Sequence, residues 1–178
     1  MLGNEQVTWY YVVSLIGKTL VLLIAPINTI VISYLTKRKE LLTRSQFGKA
    51  VLAGGGVSLV FFLACQVGTP LFVWLFYRNL YDSVKGLVTV VNLVQILGLF
   101  SAFLFILVLT FTDEKWQLWI QLAHFAVLLV TSVLAARAYG MIGFAWASLG
   151  ANSLRVAAVI ILGLVKAGKD KGGSNADR

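Results

Sequence analysis

An all-α, polytopic transmembrane helical bundle of five spans is predicted by three features of the sequence. Its composition suits a bilayer: 59% of the 178 residues are hydrophobic and 12% charged, with a mean hydropathy of +0.87. A soluble domain is nearer to about 45–50% apolar and about 25% charged. The apolar residues fall into five runs, each long enough as helix to cross a hydrocarbon core of about 30 Å, which takes roughly 20 residues. The charges stand at the edges of those runs, and the gaps between them leave no room for a water-exposed domain.

In chain order, the predicted spans cover residues 9–35, 50–76, 86–111, 118–138 and 141–164. The first opens on Trp9, Tyr10 and Tyr11. The second carries Gly54-Gly55-Gly56 near its start and Pro70, Trp74 and Tyr77 near its end. Tyr81 precedes the third, and Trp116 and Trp119 flank the start of the fourth. Aromatic side chains at span ends are the belts expected where headgroups meet the hydrocarbon. Small residues at Gly54–Gly56 fit close helix packing or a soft point in the backbone, and Pro70 fits a kink. Residues 1–165 thus form one helical unit. The polar, Gly-rich tail "KAGKDKGGSNADR", residues 166–178, is predicted to be disordered.

Loop charge sets an orientation. "LTKRKELLTRSQFGK", residues 35–49, contributes Lys37, Arg38, Lys39, Arg44 and Lys49 to one side. Lys115 and the tail's Lys166, Lys169, Lys171 and Arg178 add to that side, while the other holds Arg78, Lys85 and Arg137. Ten against three makes the richer side cytoplasmic. The net charge of +8 therefore reads as topogenic, with anionic lipid headgroups as its modest partner, and no nucleic-acid partner is expected. The N-terminal "MLGNEQVT" then lies outside without a signal peptide, so an upstream portion with an odd number of spans is expected.

All seven acids (Glu5, Glu40, Asp82, Asp113, Glu114, Asp170 and Asp177) fall in loops or tails, whereas Lys18, His124 and Arg155 fall inside spans. Intramembrane ionisable residues are functional suspects. Ser148, Asn152 and Arg155 share a helical face, where a guanidinium could hold a phosphate, cap carbonyls or pair with an acid elsewhere. Lys18 shares a stripe with Ser14, Ala25 and Asn28, and can line a cavity or snorkel outward. His124 shares a face with Gln117, Gln121 and Thr131, fitting an interhelical hydrogen bond or proton coupling. Thr89, Asn92 and Gln95 form a polar face that ties helices together or lines a cavity. The candidate substrate-binding set is therefore Arg155, Lys18, Asn152, Asn92, Gln95 and His124. Enzymatic activity is not expected. There is no paired carboxylate, P-loop or G-x-S-x-G, and no motif surrounds a Ser101–His124 dyad. With one cysteine, Cys65, and one histidine, neither a metal site nor a cofactor is expected.

Three stretches carry a family resemblance. "LGNEQVTWYYVVSLIGKTLVLLIAPINTIVISYLTKRKE" resembles the eighth helix and basic exit loop of bacterial lipid-linked oligosaccharide flippases. These are the Wzx-type members of the superfamily that includes MATE exporters. "GTPLFVWLFYRNLYDSVKGL" resembles that family's "P-L-I-x-x-L-F-G-x-x-Y-x-x-A" turn, and "AARAYGMIGFAWASLGANSL" its last "Y-G-x-x-G-A-A-x-A" hairpin. Tyr77 stands where the family has Gly, and Trp146 where a small residue is usual. The likeness runs from about Leu2 to Leu164 and covers five of twelve or more spans. It implies one lobe of a two-lobe flippase in the cytoplasmic membrane, its partners being membrane lipid, a polyprenyl-pyrophosphate-linked oligosaccharide and a missing or separately encoded N-terminal lobe. Alternatives are a lobe of a MATE-like multidrug exporter and a non-transporting scaffold.

Overall fold

Every described element is helical. The structure, a computed structural model, describes the backbone of residues 4–37 and 43–167, and within the first helix the side chains of residues 5–22 and Ile24. α1 spans Asn4–Lys37, α2 Arg44–Phe76, α3 Tyr81–Leu109 and α4 Glu114–Lys166, with a 3-10 turn at Arg78–Leu80 before α3. Residues 38–42 of the basic loop and the tail beyond Ala167 lie outside the described residues, as do the side chains of Ala25 and Asn28.

The helices start earlier than hydropathy alone predicts, because polar first turns continue the helix beyond each apolar run. The second span was expected from Ala50, but α2 begins at Arg44 behind a capping box. The Thr43 hydroxyl accepts from the Gln46 N–H at 3.3 Å, and the Gln46 side-chain oxygen accepts from the Thr43 N–H at 2.9 Å. The reciprocal pair satisfies two donors that a bare helix start would leave open. α3 ends at Leu109, two residues before the expected Phe111, where the Thr110 and Thr112 hydroxyls donate to the Leu107 and Val108 carbonyls, both at 2.7 Å. Pro70 is carried inside α2.

α4 is interrupted once, at Gly140, whose φ of 64° and ψ of −146° are open to glycine but hostile to any residue with a Cβ. The break turns the helix into a hairpin whose first arm covers residues 114–139 and whose return arm covers 141–166. Trp116 near the start meets Lys166 at the end, with Nζ 5.5 Å from the ring centroid. A Cβ on Gly143 would strike the Ala135 carbonyl, so glycine there lets the arms close tightly. The expected boundary between residues 138 and 141 falls on this turn.

α3 is the pillar. Its most extensive contacts are with α4, then α1 and α2, and most of its apolar stretch is buried, whereas α2 and α4 leave theirs largely exposed. At one end, Val12 and Val13 of α1 pack with Val84, Leu87, Val88 and Val91 of α3, Val73 of α2 and Met141 of α4. At the other, Phe47 packs with Leu104, Leu107 and Val108 of α3 and Val156 and Val159 of α4. Phe47 also stands edge-on to Phe111 at 5.7 Å and fills the space where a Cβ on Gly163 would sit. Gly54 similarly seats Phe103 and Phe100, while Gly56 borders open space. One member of the glycine run therefore serves close packing.

The outward surface is as apolar as the core. Leu52, Val60, Val67, Trp119, Leu134 and Leu154 are all exposed, the inverse of a water-facing helix. Three helical stretches, Arg44–Phe76, Arg78–Leu109 and Glu114–Lys166, are long and apolar enough to cross a membrane.

Candidate functional site

The structure sorts the six candidate residues into three places. Asn92 is fully buried between α2 and α3. Its amide donates to the Cys65 carbonyl at 3.1 Å and to Gln66 Oε1 at 3.0 Å, and its oxygen accepts from the Thr69 hydroxyl at 3.1 Å. Gln66 continues the network by donating to Thr89 at 2.9 Å. With both amide hydrogens and the oxygen engaged, Asn92 binds helix to helix rather than facing a cavity. Its partners Gln66 and Thr69 were not singled out in the sequence, and Cys65 was noted there only as the one cysteine. Their i, i+1, i+4 spacing opposite an intramembrane Asn is the signal that could have found them.

Gln95 lies on α3 against α1, its Cβ and Cγ occupying the space opened by Gly17. Lys18, next in the chain, is exposed and extends toward the N-terminal end of α1. Its Nζ rests 4.7 Å from the centroid of the Tyr11 ring. The ammonium thus reaches out along its own helix, as a snorkelling lysine does.

Arg155, Asn152 and His124 come together on the α4 hairpin. His124 is 16 residues before Gly140 and Arg155 15 after it, so the turn places them opposite one another. Both line a cavity of about 160 Å³ between the arms, with Ile120 and Val127 on one side and Leu154 and Ala158 on the other. The guanidinium stacks over Phe105 of α3, with Cζ 5.9 Å from the ring centroid. Asn152 lies beside His124 and its amide reaches back to the Val94 carbonyl of α3 at 3.4 Å. Among the described residues, neither Arg155 Nε nor His124 Nε2 has a hydrogen-bond partner, although both atoms are buried. Ser101, Gln117 and Ser132 also have buried polar atoms without partners among the described residues, so what distinguishes Arg155 and His124 is that both line one cavity.

The wider polar faces are looser than expected. Gln121 is exposed, Thr131 donates to its own helix at Val127, and Ser148 is buried. Ser101 is buried without a hydrogen bond, so it forms no dyad with His124. A separate cavity of about 340 Å³ between α1, α2 and α3 is lined by Ile24, Val57, Phe61, Leu99 and Phe103 among others. It offers almost no polar group to orient a ligand.

The cavity between the arms is small: at roughly 30 Å³ per water it holds about five waters. Pockets for drug-sized ligands run from about 300 Å³ upward. Its size suits a single tetrahedral oxyanion. The chain matches no protein-family model, no curated protein and no solved structure, so the chemistry of the hairpin carries the functional argument.

Proposed function

We propose that the chain is a five-span membrane unit equivalent to one lobe of a flippase for lipid-linked oligosaccharides, with its N-terminus outside and its C-terminus cytoplasmic. The observation that supports this reading is Arg155, an intramembrane guanidinium with a buried, unpartnered Nε and no acid in any predicted span to neutralise it. An oxyanion such as a polyprenyl-linked pyrophosphate suits it in charge and fork geometry. The exposed apolar surface keeps the lipid chain in the bilayer. A second lobe supplies the opposite wall, and alternating access moves the headgroup past Arg155. A cation exporter wants an intramembrane carboxylate, and none stands in these spans.

The test is genetic complementation. In cells lacking the gene, wild-type protein restores surface polysaccharide, as does R137Q, which alters an exposed residue near the hairpin turn. R155Q, expressed at equal level, should restore little. Full restoration by R155Q would refute the assigned role of Arg155.

A further inference from the structure

We infer that the cavity between the arms of α4 is a proton-linked oxyanion site, in which His124 becomes the second cation when an anion binds at Arg155. This rests on the reading of Arg155 as an anion handle and adds a coupling device to it. The juxtaposition is built by the fold. Gly140 reverses the helix, and the two arms bring one imidazole and one guanidinium to the walls of one small cavity.

Depth matches as well. His124 is ten residues from Glu114 and Arg155 eleven from Lys166, so at about 1.5 Å per residue both lie about 15 to 17 Å from the same end of the hairpin. Each has a buried nitrogen without a hydrogen-bond partner among the described residues. A neutral imidazole carries one N–H and one bare nitrogen, while the imidazolium donates from both. An oxyanion held at Arg155 attracts a second positive charge beside it, and the imidazolium adds a charge-assisted hydrogen bond.

Among the described residues, Arg155 is the charged group that shares the cavity lining with His124. The return arm offers Arg155 and Asn152. α3 contributes Phe105 behind the guanidinium, its own titratable residues Tyr81, Asp82 and Lys85 lying at its far end. On the first arm the nearest charges are Glu114 and Lys115, about 15 Å away along the helix. Protonation draws one proton from solvent onto the bare ring nitrogen, and release of the anion returns it. Binding therefore strengthens as pH falls through the imidazole's titration.

His124 is the single histidine of the chain, so its ring resonances report the site without ambiguity. The full-length protein is placed in phosphatidylcholine nanodiscs and the ring protons are titrated by NMR from pH 5 to 8. One arm adds sodium sulfate and a second replaces part of the lipid with phosphatidylglycerol. Both oxyanions keep constant charge over that range. The expected result is a titration midpoint raised by about one pH unit, equivalent to roughly tenfold tighter binding to the charged ring, and loss of that rise in R155Q. A rise with sulfate alone identifies a free oxyanion, and a rise with phosphatidylglycerol alone identifies a lipid headgroup. A rise equal in wild type and R155Q overturns the inference. So does Arg155-dependent binding of either anion with an unmoved midpoint, which leaves the anion handle standing. No binding of either anion to the wild-type protein overturns both.

Discussion

Arg155 and His124 meet across the last hairpin, 15 residues after and 16 before Gly140, each lining the same cavity with a buried nitrogen left unbonded. Their meeting depends on the conformation at Gly140. A Cβ there is opposed by a φ of 64°, so Gly140→Ala should destabilise the protein by about 1–2 kcal/mol. Gly150, with open space around it, is the matched comparison: Gly150→Ala should stabilise the helix by about 0.5–1 kcal/mol. Unfolding of both variants by SDS in detergent micelles checks the opposite signs.

Asn92 is assigned to holding α2 on α3. Asn92→Leu strands the Thr69 hydroxyl, the Gln66 side chain and the Cys65 carbonyl, and should lower stability by about 1–3 kcal/mol. If Asn92 has no part in substrate contact, the folded fraction should bind sulfate like wild type, which equilibrium binding measures. Weaker binding at unchanged stability would return Asn92 to the cavity.

Phe47 and Gly163 form the close contact at the opposite end. Gly163→Ala drives a methyl into the Phe47 ring and should cost about 1–3 kcal/mol. Phe47→Leu in the same chain makes room, so the double variant should be more stable than the sum of the single losses. Strict additivity would mean the two residues do not touch.

Lys18 and Arg155 looked alike in the sequence, and the structure separates them. Lys18→Gln removes a cation–π contact with Tyr11 of about 0.5–1 kcal/mol, and should reduce surface polysaccharide far less than R155Q. Equal losses would place Lys18 back in the path of the substrate.

Much of this architecture was legible because a bilayer imposes its length on apolar runs. The gap placed between residues 138 and 141 falls on the turn at Gly140, whereas the capping box of Thr43 and Gln46 was not read, so α2 starts at Arg44 rather than at the expected Ala50. What periodicity could not supply was which faces meet. It put His124 on a face with Gln121 and Thr131, and Arg155 on one with Ser148, but their convergence needs the hairpin. Lys18 is the converse case. Its place in the span left snorkelling and cavity lining both open, and a four-carbon stem carries the charge two turns up its own helix to Tyr11. Asn92 was visible as an intramembrane amide, but its Cys65, Gln66 and Thr69 partners lie on another helix, and their i, i+1, i+4 spacing points to them only once α2 and α3 are known to face each other.

The proposed five spans put the two termini on opposite sides of the membrane, and the proposed orientation and second lobe rest on that odd number. The direct measurement is topology mapping in cells, with a tag at each terminus and single cysteines at positions 41, 79 and 139 probed by a membrane-impermeant thiol reagent in a Cys65→Ser background. Five spans in the proposed orientation give an external N-terminus, labelling from outside at 79 and 139, and protection at 41 and the C-terminus. A cytoplasmic N-terminus, or both termini on the same side, would contradict it.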